Sequence, residues 1–182
     1  MKKMRNDIKE ILFTTEQIEE KAAQLAKELE VDYAGKKPIL LGLLKGSIPF
    51  IGDLMKHMNM PIQIEFMDVS SYHGGTTSSG QVKILKDLDI SVENRHIIIV
   101  EDIVDTGFTL TKVIALLKHR GAASVEVVTM LDKPEGRVVE MEPKYIGFTI
   151  PKAFVVGYGL DYDEYYRNLP YVGILKEEVY MK

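Results

Sequence analysis

The sequence predicts an α/β fold built on a central, mainly parallel sheet with helices on both faces. Two unbroken apolar runs, Ile39-Leu40-Leu41-Gly42-Leu43-Leu44 and Ile97-Ile98-Ile99-Val100, have the pattern of strands covered on both sides. Segments with helical periodicity and capping residues precede and follow these runs. A third apolar, β-branched run, Val125 to Met130, continues the alternation of strand and helix.

The first element is a helix from Thr15 to Glu30. Ile18, Ala22, Leu25 and Leu29 share one face, Thr14 and Gln17 form a capping box, and Gly35 lies beyond the end. After the Ile39–Leu44 strand, Ser47 is placed to cap a helix reaching Met58. Pro49 is tolerated in its first turn, and Pro61 follows it. Gln63 to Val69 alternates as a strand, and Ser70 to Gly80 is polar and rich in Gly, Ser and Thr, the composition of a long loop. The Ile97–Val100 strand leads to a helix starting at Thr109. Leu110, Val113, Ile114 and Leu117 share its buried face, and Gly121 stands at its C-terminal side. Short strand-like pieces recur at Tyr145 to Ile150, Phe154 to Val156 and Val172 to Leu175.

At 182 residues the chain has the size of one domain with room for a small lobe, and no repeat or linker divides it. The 46% apolar and 27% charged fractions are those of an ordinary globular protein. A formal charge of −4 argues against wholesale nucleic-acid binding. The absence of cysteine excludes disulfides, thiolate metal sites and cysteine nucleophiles. Met1 to Glu10 is charged, and no stretch approaches the ~18 apolar residues of a membrane span, so a soluble, cytoplasmic protein is expected. His57, His96 and His119 lack metal-ligand spacing, and nothing marks His73 for a role.

In open parallel sheets ligands bind beyond the carboxyl ends of the strands. The strand ending at Val100 runs into Glu101-Asp102-Ile103-Val104-Asp105-Thr106-Gly107-Phe108-Thr109-Leu110. Gly107, the hydroxyls of Thr106 and Thr109 and the first N–H groups of the next helix are the ingredients of a phosphate cradle. No lysine follows the glycine, so this is not a nucleoside-triphosphatase loop. Acids beside a phosphate site need a bridging divalent cation, sugar hydroxyls or general-base work. Taken singly, Glu101 and Asp102 would merely solvate a strand end and Asp105 would cap the helix. The interlocked string points to a site instead. At the other strand end, Lys45-Gly46-Ser47 sets a cation and free backbone N–H groups at a turn, a weak signal by itself.

Val100 to Leu110 resembles the phosphoribosyl pyrophosphate motif of the type I phosphoribosyltransferases. That motif is four apolar residues, two acids, two apolar residues, an acid, Thr or Ser, and Gly. Leu44-Lys45-Gly46 is similar to the pyrophosphate loop of the hypoxanthine-guanine branch, and Ser71-Tyr72 to the pair that opens its lid. Asp132 to Arg137 and Phe154 to Arg167 resemble its purine side. The likeness runs from Thr15 to Val179. It implies a five-stranded, mainly parallel sheet with a small hood built partly from the C-terminal region. The implied reaction is purine salvage: a 6-oxopurine and phosphoribosyl pyrophosphate give IMP or GMP plus pyrophosphate, with Mg²⁺. The resemblance also implies a homo-oligomer, dimer or tetramer.

Residue roles follow from the resemblance. Asp105 is similar to the catalytic acid that accepts or shares the purine N7 proton. With Thr106, Gly107, Phe108 and Thr109 it would hold the 5′-phosphate. Glu101 and Asp102 would meet the ribose hydroxyls and Mg²⁺, and Asp161 would lie near a second metal. Lys45, Gly46, Arg167 and Arg137 would bind pyrophosphate. Lys133, Phe154, Val155 and Asp161 would bind the purine. Phe108 departs from relatives with a polar or basic residue there, but backbone binding of phosphate does not depend on that side chain. A regulator that senses phosphoribosyl pyrophosphate and binds nucleic acid would need a basic surface that is missing here. Lys133 and the Phe154–Arg167 segment argue against adenine and pyrimidine enzymes of the same fold, and leave xanthine open.

Overall fold

The computed structural model describes residues 4–71 and 82–181. Helix α1, Thr15–Asp32, begins at a full capping box: Gln17 N–H donates to Thr14 Oγ1, and Thr14 N–H donates to Gln17 Oε1. Such a cap contributes about 1 kcal/mol. The helix buries Ile18, Ala22, Leu25, Ala26 and Leu29, the face read from its periodicity. It is preceded by β1, Ile8–Phe13, and followed by β2, Ile39–Leu43, and α2, Ile48–His57. Then come β3, Gln63–Ser71, β4, Val82–Lys86, and β5, His96–Val104, followed by α3, Phe108–His119, and β6, Ser124–Asp132. The C-terminal part adds β7, Tyr145–Thr149, β8, Val155–Val156, β9, Val172–Leu175, and the single turn α4, Glu177–Tyr180.

The main sheet has the order β4-β3-β2-β5-β6-β7. Its five strands from β3 to β7 are parallel, and β4 is antiparallel to β3 at the edge. The expected five-stranded parallel sheet is present, with one further strand beside it. Alternate residues serve opposite layers. Leu40, Ile98, Val100, Val128 and Met130 pack with α1 and α2, while Ile39, Leu41, Ile97, Ile99 and Val127 pack with α3. Burying each such side chain contributes about 1.5–3 kcal/mol before ordering costs are counted. A second, antiparallel sheet of order β1-β9-β8 carries its own cluster of Val156, Tyr166, Leu169 and Leu175.

The connections determine where a ligand can enter. The crossover from β2 through α2 leads to β3 on one side, and that from β5 through α3 leads to β6 on the other. The chain therefore changes winding direction between β2 and β5, and the cleft of such sheets opens at that point, beyond the carboxyl ends.

Three expectations are corrected. Strand β5 does not stop at Val100 but runs to Val104, so Glu101 and Asp102 lie within the ladder, Glu101 opposite Thr129. Ser47 precedes α2 without a side-chain cap; its buried hydroxyl donates back to Leu43 O at 2.6 Å. Ser70 and Ser71, expected in a loop, belong to β3 and pair with Lys83 and Val82. The rest of the expected loop, including Tyr72 and His73, lies outside the described residues.

Candidate active site

The cleft at the winding switch has a volume of about 320 Å³ and is lined by Leu43 to Gly46, Val69, Glu101 to Leu110 and Arg167. One wall is the turn after β2, where the Leu44–Lys45 peptide is cis. The other is the end of β5 and its turn into α3. Gly107 sits at φ +75°, a conformation that disfavours other residues, and its carbonyl accepts both Thr111 N–H (3.0 Å) and Thr111 Oγ1 (2.9 Å). This geometry starts α3 at Phe108 and turns the helix's positive end toward the cleft.

Glu101 and Asp102 face the cleft yet are set deep among protein atoms. Burial, reinforced by Asp102, pushes the Glu101 carboxyl well above its usual range. Burial raises Asp102 to about 6, against the opposing pull of the Ile103 N–H bond (2.7 Å) and Arg167. Asp102 also fits closely under the opposite wall. A Cβ on Gly46 would come within 1.8 Å of Asp102 Oδ2, so only glycine fits there.

Asp105 stands at the far end of the cleft. Its Oδ2 accepts Lys133 Nζ at 2.9 Å and its carbonyl accepts Arg137 Nη1 at 2.6 Å. Lys133 follows directly after β6 and is largely buried, so the ladder between β5 and β6 brings it to Asp105. Arg167 reaches in from the segment between β8 and β9. It donates to Gly159 O (2.7 Å) and pairs with Asp161 (2.8 Å) and Glu164 (3.1 Å). Glu164 also holds Lys45 at 2.7 Å, so one carboxylate bridges both cations of this wall.

The domain model described as "Phosphoribosyl transferase domain" matches residues 9–163. The chain belongs to the phosphoribosyl transferase family. It is 58% identical to the hypoxanthine-guanine phosphoribosyltransferase of Streptococcus pneumoniae over 177 residues, covering 97% of this chain and 98% of that one. Among solved structures it resembles a hypoxanthine phosphoribosyltransferase from Staphylococcus aureus, with a TM-score of 0.94 and 53% identity over 97% of this chain and 96% of that one. A mutant hypoxanthine phosphoribosyltransferase from Trypanosoma cruzi, solved with the product IMP, matches with a TM-score of 0.90 and 41% identity, covering 96% and 95% of the two chains.

In this phosphoribosyl transferase the structure brings together Lys45, Gly46, Glu101, Asp102, Asp105 to Thr109 and Arg167 around one cleft. Lys133 joins them through Asp105. Phe154 and Lys133 line a neighbouring hollow of about 430 Å³, with Phe154 40% exposed and Val155 buried beside it in β8. Asp161 reaches the cleft through Arg167. Arg137 is not among the cleft's lining residues; it is engaged with Asp105 O and Asp132. Among the described residues, no three acidic or histidine side chains form a ready-made metal cage. The sequence reading did not single out Glu164, because a lone carboxylate in an acidic stretch has no pattern to mark it. Only the fold reveals its contact with Lys45, 119 residues away.

Proposed function

We propose that this chain transfers the 5-phosphoribosyl group of phosphoribosyl pyrophosphate to hypoxanthine or guanine, giving IMP or GMP and pyrophosphate. The observation that carries the reading is the contact of Asp105 with Lys133 at the end of a phosphate-cradling turn. It puts a proton acceptor and a cationic donor side by side where a base would meet the sugar. The likeness to hypoxanthine-guanine and hypoxanthine phosphoribosyltransferases supports the choice of 6-oxopurines.

The 5′-phosphate rests on the N–H groups and hydroxyls of Thr106 to Thr109. Pyrophosphate takes the place of Glu164 on Lys45 and Arg167. N9 of the base forms a bond to C1 of the ribose as the bond from C1 to pyrophosphate breaks, and Asp105 accepts the proton released at N7. Lys133 has three donors, so it can hold Asp105 and the C6 carbonyl together. Phe154 offers its face to the base, Val155 its backbone edge, and Asp161 steadies Arg167 beside the purine side.

Glu101 and Asp102 suit Mg²⁺ because they are adjacent, half-buried acids on the cleft wall, and Asp161, paired with Arg167, would lie near a second ion. Mg²⁺ characteristically uses one or two carboxylates together with substrate phosphates and water, which matches the lack of a three-acid cage. When bound, the ion neutralises the pyrophosphate leaving group. Ser71 and Tyr72 would open a lid over the cleft. The second sheet would serve as the hood of a single domain spanning residues 1–182. No helix among the described residues is long and apolar enough to cross a membrane. On the same reading the chain is a cytoplasmic homo-oligomer, dimer or tetramer.

A panel of five bases tests the assignment. Hypoxanthine and guanine should be used, adenine very poorly, and turnover should stop in excess EDTA and return with Mg²⁺. Adenine presents an amino donor where Lys133 also donates, and an unsatisfied charged donor costs at least about 1–3 kcal/mol. Lys133→Ala should therefore weaken both oxopurines and narrow their advantage over adenine. Equal use of adenine and guanine by the wild type, or an unchanged preference in the mutant, would refute the purine-site assignment.

A further inference from the structure

Phe154 lies just before β8, a strand of only two residues, so little of the sheet fixes its side chain. Its carbonyl is pinned by Leu175 N–H at 3.0 Å, and the same C-terminal segment then turns through α4 and returns a ring to it. Tyr180 stacks on Phe154 with centroids 4.8 Å apart and planes 18° apart. Tyr162 meets Phe154 edge-on at 5.8 Å and 82°, and meets Tyr180 at 6.5 Å and 66°. Two rings from separate segments, Tyr180 stacked and Tyr162 at a right angle, thus pack against Phe154. The ring nevertheless remains 40% exposed.

A phenyl ring has two faces. With one taken by Tyr180, a flat base stacks on the other. We propose that Tyr180 is a positioning residue for the purine, backing the Phe154 ring so that its open face is held parallel to the incoming base. This rests on the reading of Phe154 as the stacking ring. Without the backing ring, Phe154 is free to turn about its side-chain torsions, and each binding event must first order it. The effect falls on the base alone, because Tyr180 lies on the hollow of Lys133 and Phe154 and not on the cleft that holds the phosphates.

Steady-state kinetics of the full chain test this with the KM values for hypoxanthine, guanine and phosphoribosyl pyrophosphate measured separately. Tyr180→Ala should raise both base KM values about 3–10-fold, the span expected for one aromatic pair. The kcat at saturation and the KM for phosphoribosyl pyrophosphate should stay within about twofold, as for a lost binding contact. Tyr180→Phe, which keeps the ring, should behave as wild type. Phe154→Leu should raise the base KM values by itself, and adding Tyr180→Ala to it should change nothing more. An unchanged or lowered base KM in Tyr180→Ala, a parallel rise for phosphoribosyl pyrophosphate, or a full effect without Phe154 would each overturn the inference. If Phe154→Leu alone leaves the base KM values unchanged, the stacking role of Phe154 falls and the inference falls with it. If Phe154→Leu raises them and Tyr180→Ala does not, only the role of Tyr180 is lost.

Discussion

On the proposed reading the chemistry turns on Asp105, and its carboxylate is held on two sides. A Cβ at Gly136 would fall 1.7 Å from Asp105 Oδ1, while Lys133 holds the other carboxylate oxygen. The carboxylate thus has a backbone on one side and a cation on the other, while its side chain stays 43% exposed. Asp105→Asn keeps the shape but loses the proton acceptor. Its kcat should drop by about 10²–10⁴-fold, the usual worth of general acid–base catalysis, while the KM for phosphoribosyl pyrophosphate changes much less. A variant with normal kcat would reduce Asp105 to a structural role. At this scale the sequence was informative in identity and poor in partnership. Asp105 and Lys133 each stand out in their motifs, but their mutual bond spans 28 residues and belongs to the ladder between β5 and β6. Arg137 shows the converse, since its proximity to Lys133 in sequence says nothing of its engagement with Asp132 and Asp105 O.

Elements whose signal is burial were legible, and elements whose signal is pairing were not. β2, β5 and β6 announce themselves because both of their faces are covered. β1 is half exposed, β4 largely so, and each carries two charged residues, so only their partners make them strands. The connection after β4 shows how such an edge is tied down. Asp87 accepts both guanidinium arms of Arg120, which closes the end of α3, at 2.6 Å each. The Arg120 guanidinium holds the Asp87 carboxyl down at about 2. A carboxyl lowered by folding contributes stability above its unfolded pKa and loses it as pH falls through the folded value. The stability gap between wild type and Asp87→Asn should therefore be constant above about pH 4 and close as pH falls toward about 2. Both side chains are partly exposed, so the gap should be small and should shrink with salt. Thermal melts across that range measure it, and a gap independent of pH would dismiss the ion pair as its cause.

Across the whole molecule, the two sheets meet at the site through glycines. Gly159, at φ +99° on the chain leaving β8, packs so closely on the turn after β2 that a Cβ would lie 1.9 Å from Gly46 O. Gly159→Ala must both strain its backbone, at about 1–2 kcal/mol, and push the segment carrying Arg167 away from Lys45. It should lower the melting temperature and raise the KM for phosphoribosyl pyrophosphate, read by calorimetry and steady-state assay. Normal values for both would show that the contact yields without consequence. Two strands of the second sheet, β8 and β9, were legible as short apolar pieces, but their assembly with the half-exposed β1 into a hood was expected only through resemblance.

The continuation of β5 to Val104 has one more consequence. Val104 pairs with Asp132 at the ends of the two strands, so the residues just after them, Asp105 and Lys133, emerge at the same height. The ladder acts as a ruler that keeps these two side chains within reach of each other at the 2.9 Å observed. Residues inserted into the surface connections leave that measure unchanged. One residue added to or removed from either strand shifts its side chains to the opposite face and puts Asp105 and Lys133 out of step.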